Sequence, residues 1–583
     1  MAAGAVSPHS ARAVLGIYVD GDQASNAVFV NQSVGASTLY GGFLISPTIN
    51  GTTSILYDGG EYGSSAVLSV IDLGYIDNTN QALTRVNTYF GDTLSSSPSN
   101  APASGYVGTH GTDVAMFAAG LGPIDGNGNT PTDEFGMAPL ATIWSGAVIA
   151  GGDPNSEVGG YTVTNQSFID PFVQAMQTGI NGVKTDVVNV SLGDSTDLVG
   201  EDSTTVALDG LIAQNHTTVV IAAGNSGPGT DTVGSPASGY NGISVGALAA
   251  DPTLTYQSVA DFSSRGPNDF YNPYTGVTTP GVRAAVDIVA PGDEFITQLT
   301  ANTASYGSGT SYAAPLVAGG ATELSSLSHE LAGYFASVGY PANMTAAAND
   351  ANDGRVIKAV LLNSADKLPG WNNGQMMING VLTTRQALDF TQGAGALNLT
   401  RALTNYINGQ FDPKVVGNSA PNLGAIGWDL STVHAGTDNL YNLGEIAQGS
   451  TFTATLAWFV DRTYDSTAQI ADEGSFINLN LDVYELVGGS QTLIAVSNTP
   501  YDNLQHLSFV LPDSANYAVG VNFGGIAYGP ANAATPDSET YALAWSDENV
   551  AVPEPASAAL LTAGIVLLRR RRSSQSVSSA NSS

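Results

Sequence analysis

Apolar positions along the chain change their rhythm once, near residue 412. From about residue 66, runs that are apolar at successive positions alternate with Ala-rich segments: "AVLSVID", "VAMFAAGL", "ATIWSGAVIA", "FVQAMQTGI", "DVVNVSLG", "TVALDGLIA" and "TTVVIAAGN". Continuous β-branched runs suit strands covered on both faces, and such strands are parallel and joined by helices. The pattern therefore predicts α/β architecture over 66–412, closing on helices in "RVIKAVLLNSADKLPG" and "TQGAGALNLTRALTNY". The Asn-, Ser- and Gly-rich stretches 77–105 and 268–281 read as loop insertions. Beyond 413 helical spacing stops. "TFTATLAWFV", "SFINLNLDVYEL", "QTLIAVSN", "HLSFVLP", "NYAVGVNF" and "TYALAWS" alternate apolar and polar residues between turn signals, which predicts an all-β sandwich over 413–548. In the N-terminal segment 1–65, "AVLGIYVDGD" and "NAVFVNQSV" read as short strands, and no basic stretch followed by an apolar run marks a secretory signal.

Composition narrows the partners. The 583 residues carry 50 acids against 16 bases, a formal net charge of −34, and four of those bases are Arg569 to Arg572 at the tail. Such a surface repels phosphate backbones and anionic headgroups, so nucleic acid is excluded as a partner. With no cysteine, disulfides, thiolate metal sites and a cysteine nucleophile are excluded as well.

Candidate chemistry gathers around "GSGTSYAAPLVAGG", 307–320. A serine hydroxyl is a weak nucleophile until a base takes its proton and donors hold the oxyanion that forms. Ser311 is expected to open a helix whose free N–H groups supply such a donor. Gly309 is expected to turn the backbone sharply, Ala313 and Ala314 to let the helix bury, and Pro315 to fall in the first turn. A simple N-terminal cap is the competing reading. Among six histidines, His110 in "GTHGTDVAMFAAGL" stands between a loop and an apolar helix, with Gly108 and Gly111 leaving its ring accessible. His9 and His216 lie in polar contexts, and His329, His434 and His506 lack a glycine-lined approach. An orienting carboxylate should end a buried strand. Asp72 in "AVLSVIDLG" meets that test, with Asp20 and Asp58 as rivals. Asn225, in a glycine-flanked turn after "VVIAAG", offers an amide donor to an oxyanion or forms a plain turn.

Taken together, Asp72, His110, Asn225 and Ser311 keep the aspartate–histidine–serine order of subtilisin. The surrounding words "SVIDLG", "HGTDVA", "AAGNSGP" and "GTSYAAP", with "GMAPLATI", "VVNVSLG", "ISVGAL", "DFSSRGP" and "DIVAPG", resemble the subtilisin-like serine protease family over about 66–412. The resemblance implies a three-layer αβα fold around a mainly parallel sheet. It also implies Ser311 as nucleophile, His110 as base, Asp72 as its orienting acid, and Asn225 with the Ser311 N–H as oxyanion hole. Ser191, Leu192 and Gly193 with Ala222, Ala223 and Gly224 resemble the two segments that grip an extended peptide. Two departures stand out: Leu73 comes directly after the acid, and Met116 replaces a glycine of the histidine motif. No inhibitory propeptide of the family's kind is recognisable in 1–65.

Asp125, Asn127 and Asn129, then Asp133 and Glu134, place oxygen ligands at the alternating spacing of a calcium loop, against a solvated-loop reading. The chemistry itself requires no cofactor, and structural calcium is an expectation of the resemblance. In the tail, 549–583, "VPEPASAALLTAGIVLLRRRR" has an apolar run too short to span a bilayer. It resembles the PEP-CTERM sorting tail, which implies contact with export machinery and a secreted or envelope location. The expectation is a monomeric serine endopeptidase acting on proteins or peptides. A sedolisin-like acid protease, with glutamate as base, fits His110 and Asn225 poorly. An inactive exported binding protein on the same scaffold is the alternative of another class.

Overall fold

The computed structural model describes residues 48–49, 52–53 and 63–548, except 95–96, 121–135, 157–159, 252–255, 294, 301–302, 341, 412–421 and 532–535. The expected strands of 1–47, the rivals Asp20 and Asp58, the candidate loop at 125–134 and the tail from 549 lie outside the described residues.

Eight strands form the central sheet, seven of them parallel: β1 (Val67–Asp72), β2 (Thr88–Phe90), β3 (Thr142–Ala147), β4 (Val187–Val190), β5 (Thr218–Ala222), β6 (Ile243–Ala249) and β7 (Ile288–Pro291). Their order is β6-β5-β4-β1-β3-β2, with β7 also on β6, and these pairings are parallel. Only the two-residue strand Ser258–Val259 runs antiparallel, on β6. β4 and β5 are buried at every position, as a sheet covered on both faces requires. The flanking helices include α1 (Thr109–Ala119), α2 (Ser203–Asn215), α3 (Thr310–Val338), α4 (Gly354–Asn363) and α5 (Leu399–Ile407). The mainly parallel sheet flanked by helices is the architecture the apolar runs predicted.

Strand register decides which residues leave the sheet together. Ile71 on β1 lies level with Val190 on β4, and Val190 with Ile221 on β5. Asp72, Ser191 and Ala222, each one residue further on, therefore emerge side by side at the carboxyl edge of the sheet, where open α/β sheets bind ligands.

Two stretches read as loop insertions are more ordered than that. The first, 77–105, contains β2, an edge strand of the sheet. The second is a hairpin, Asn268–Asn272 paired with Val277–Arg283. Alternation was hard to see there because its burial comes from another unit, with Phe270 packing on Phe476, Tyr501 and Tyr528 at centroid distances of 6.1, 5.3 and 6.0 Å.

That other unit is rich in antiparallel strands. A four-stranded sheet runs Ile426–His434, Ser538–Asp547, Thr451–Trp458, Leu504–Val510. A six-stranded one runs Met376–Ile378, Val381–Thr383, Ser490–Ser497, Phe476–Val487, Ala515–Tyr528, Asp438–Ile446. Residues of both sheets, among them Tyr441, Trp458, Leu481, Val519 and Trp545, share one apolar cluster. The strands Ile426–His434 and Asp438–Ile446 carry too much polar sequence to have been singled out beforehand. The hairpin 376–383 comes from the α/β stretch yet extends the six-stranded sheet through a parallel pairing with Ser490–Ser497.

Besides the aromatic contacts of Phe270, the seam between the units holds buried polar groups. Arg462, just past Thr451–Trp458, is fully buried, and its guanidinium meets Asp209 of α2 at 2.9 Å, Glu201 at 2.8 Å and Glu473 at 2.7 Å. The same group donates to the Gly200 carbonyl at 2.9 Å and lies 5.0 Å from the Tyr240 ring centroid. Asn241 exchanges two hydrogen bonds with the Val460 backbone, at 2.8 and 3.0 Å. Backbone approaches backbone as well: a Cβ at Gly210 of α2 would stand 2.5 Å from the Thr463 carbonyl carbon.

Candidate active site

Asp72 ends β1 at 2% exposure, and one of its oxygens accepts from the Leu73 N–H at 2.8 Å. Its carboxylate meets His110 Nδ1 at 3.0 and 3.1 Å. A pair this close depends on Gly111, where a Cβ would stand 3.0 Å from the Asp72 Cβ and 3.1 Å from the Gly74 carbonyl. Gly111 thus serves the approach of the acid, not only the access to the ring that its position suggested. His110 is the second residue of α1, and its side chain keeps 43% exposure at the cleft. The Asp72 charge holds the imidazole above its ordinary value, against burial and with support from the hydrogen bond and from Asp113. Bonding Asp72 through Nδ1 leaves Nε2 as the nitrogen turned to other partners.

Ser311 is the second residue of α3, whose N-cap Gly309 has φ 167° and ψ 156°. That is extended backbone, so Gly309 makes no sharp turn, and a Cβ there would meet the Asn225 amide at an ordinary contact distance of 3.5 Å. Pro315 is also not in the first turn: it is the sixth residue of a helix that starts at Thr310. A residue there would donate its N–H to the Ser311 carbonyl, and proline cannot. The freed carbonyl accepts instead from the Ser191 hydroxyl at 2.9 Å, while Ser311 Oγ donates to the Ser191 carbonyl at 3.1 Å. Helix α3 is thereby tied to the end of β4 at Ser311 itself.

Asn225 lies past β5 and is tied from the other side. Its Oδ1 accepts from the Thr310 N–H at 2.8 Å and from the Thr310 hydroxyl at 3.1 Å. Both donors on the oxygen fix which way the amide points, so the Nδ2 donors face away from Thr310. Thr310 also accepts from the Gly224 N–H at 3.1 Å, and Gly224 sits at φ +102°, open to glycine. Segments 191–193 and 222–224 are the ends of neighbouring parallel strands. The sequence-chosen residues Asp72, His110, Asn225, Ser311, Ser191, Leu192, Gly193, Ala222, Ala223 and Gly224 all fall on elements that meet at this one sheet edge.

Two other histidines also pair with carboxylates, His216 with Asp353 at 3.1 Å and His329 with Asp186 at 2.7 Å. His506 is buried and bonds Thr455 at 2.8 Å. Among the described residues no group of three or more His, Asp or Glu side chains could hold a metal. The calcium-loop candidates Asp125, Asn127 and Asn129 lie outside them.

A subtilase family model matches residues 63–395, more than half of the chain. The chain belongs to the subtilase family. It is 32% identical over 223 residues to the thermophilic serine proteinase of Bacillus sp. (strain AK1), covering 38% of this chain and 43% of that protein. It is 28% identical over 262 residues to a subtilisin of Bacillus sp. (strain TA39), covering 45% and 57%. With subtilisin E of Bacillus subtilis (strain 168) it shares 29% over 268 residues, covering 46% and 57%. The chain thus spans about half the length of these curated subtilases. Two residues at the site of this subtilase had not been singled out. Tyr312, next to Ser311, places its ring 6.2 Å from His110 and 5.5 Å from Phe117, and burial with the nearby Asp113 and Asp72 charges pushes its hydroxyl up to about 12. Thr310, which aims Asn225, was visible only as the middle letter of Gly-Thr-Ser.

Proposed function

We propose that this subtilase is a serine endopeptidase that hydrolyses peptide bonds through an acyl-enzyme. Ser311 Oγ attacks the scissile carbonyl carbon and passes its proton to His110 Nε2, while Asp72 holds the imidazole and balances the charge it gains. Since the resting hydroxyl donates to the Ser191 carbonyl, a rotation about the Ser311 Cα–Cβ bond precedes transfer. The oxyanion lies between the Ser311 N–H at the start of α3 and the Asn225 amide, donors already aimed before charge develops. His110 returns the proton to the leaving amine, the C–N bond breaks, and an ester to Ser311 remains. A water, deprotonated by His110, attacks that ester and frees the acid and the serine. Strand ends 191–193 and 222–224 supply backbone groups for pairing with an extended peptide, so a broad range of proteins and peptides fits as substrate.

The observation that carries this reading is the orientation of Asn225: Thr310 holds its oxygen, which leaves its donors free at the helix start that bears Ser311. Export to the cell surface or envelope is proposed on the tail sequence alone, together with action as a monomer. Calcium at Asp125, Asn127 and Asn129 would support folding and takes no part in the steps above.

A fluorophosphonate probe tests the activity. The purified wild type should label at neutral pH, and Ser311→Ala and His110→Ala should abolish labelling without lowering the melting temperature. A folded, calcium-supplied wild type that does not label would overturn the reading in favour of an inactive binding scaffold.

A further inference from the structure

Helix α1 carries His110, but it starts badly by its own means. Gly108 is its N-cap, at φ −102° and ψ 132°, and has no side chain to accept from the first-turn N–H groups. An uncapped start leaves those donors loose and lets the first turn fray. Here the cap comes from a loop 46 residues away. Asn155 Oδ1 accepts from the Thr109 N–H at 2.8 Å and from the Thr109 hydroxyl at 3.1 Å, and Asn155 Nδ2 donates to the Val107 carbonyl at 2.9 Å. One amide therefore grips the chain on both sides of Gly108, immediately before the histidine.

The loop that holds Asn155 is itself held. It is the connection of a small hairpin, Gly151–Gly152 with Tyr161–Thr162, closed by Asp153 N–H to the Gly160 carbonyl at 3.1 Å. Asp153 Oδ1 in turn accepts from the Asn155 N–H at 2.9 Å. Its neighbour Pro154 packs on Gly74, two residues past the orienting acid: a Cβ at Gly74 would stand 2.8 Å from the Pro154 Cβ. The hairpin thus touches the turn after Asp72 with one residue and the start of the His110 helix with the next.

We propose that Asn155 is a positioning residue for His110, an N-terminal cap supplied by the hairpin after β3. It sets the first turn of α1 and with it the place of Nε2 over the nucleophile. The inference rests on the reading of His110 as base. The charged and titratable groups around that ring are Asp72 at the end of β1, Asp113 on α1 and Tyr312 on α3; Asn155 adds no charge of its own, so its effect on the base is geometric.

Asn155→Ala and Asn155→Asp test it, beside His110→Ala. With the cap gone, Asn155→Ala should lower kcat and the fluorophosphonate labelling rate about 10- to 100-fold, the scale of a displaced catalytic group, with KM within about twofold of wild type. The acid limb of its kcat/KM profile should move to lower pH, because an imidazole set less squarely on Asp72 loses what raised it. Asn155→Asp keeps the acceptor for Thr109 but loses the donor to the Val107 carbonyl, so it should recover part of kcat, and its added negative charge near the start of α1 should move the limb the other way. Rates are taken per active site, with melting temperatures alongside. Asn155→Ala with wild-type kcat and limb, or with a loss that matches only its unfolded fraction, overturns the proposal. If His110→Ala still labels, the underlying assignment of the base falls instead.

Discussion

Asp72 and Asp209 are hidden equally well, each at 2% exposure, and each faces a nitrogen base about 3 Å away. Their partners differ. Asp72 faces an imidazole, which gains and sheds a proton near neutrality, on a side chain left 43% exposed. Asp209 faces Arg462, a guanidinium that keeps its proton and is fully buried with Glu201 and Glu473 around it. At the cleft one half of the pair stays open, as the proposed proton transfer requires. At the seam nothing is left open, and the pair fixes how two units sit. Buried carboxylates of one kind thus serve chemistry or assembly according to what their partner can release.

Substitutions on either side should fail in different ways. The largest effect is expected from Asp72→Asn, which removes the first cause of the raised His110 value and offers a donor where the imidazole N–H needs an acceptor. A drop in kcat of about 10⁴-fold is expected. Neutral imidazole is the active form, so in the wild type kcat/KM rises with pH through a midpoint above the ordinary 6.5, and in Asp72→Asn burial is left to pull that midpoint down. A kcat/KM profile from pH 5 to 9 checks both, and an unmoved limb would separate Asp72 from the base. Next comes Arg462→Ala, which strands the buried Asp209 and takes the shared partner from the half-buried Glu201 and Glu473, and should cost about 3–5 kcal/mol of stability. Urea unfolding should show the loss in both units together, while the labelling rate of the molecules that stay folded holds. Smallest is Gly210→Ala, whose methyl would meet the Thr463 backbone and should cost about 1–3 kcal/mol with kcat unchanged. A seam that opens under either change without unfolding the α/β unit would show the two to be independent.

The cleft was legible in the sequence for the same reason that the seam was not. Asp72, His110, Asn225 and Ser311 each sit in a short word whose neighbours are dictated locally: a strand end, a helix start, a turn. Even there the local reading stopped at the side chain's own element. Pro315 was placed a turn too early because helix start and nucleophile were assumed to coincide, whereas Thr310 begins the helix and the proline acts four residues back, on the Ser311 carbonyl. Asn155 carried no signal at all, since a cap borrowed from a distant hairpin leaves no mark beside the helix it serves. The strands were legible wherever apolar residues ran continuously or alternated. They were missed at 426–434 and 438–446, where burial is shared between polar groups such as Asp429, Tyr441 and Tyr541, bonded to one another at 2.7 Å. Arg462 carried no signal in the sequence, because two of its three carboxylate partners, Asp209 and Glu201, lie more than 250 positions away.

Gly210 carries that lesson into heredity. A helix with a notch cut to the width of one strand from the next unit has no use for the notch alone, and the strand fits no helix without it. A gene crossover that joined this α/β half to the β-rich half of another subtilase would deliver a side chain into that notch or an empty slot beside it. The two halves are therefore matched to one another, and a recombination library cut at their boundary should be enriched, among its most stable members, in pairs whose α/β parent carries the glycine.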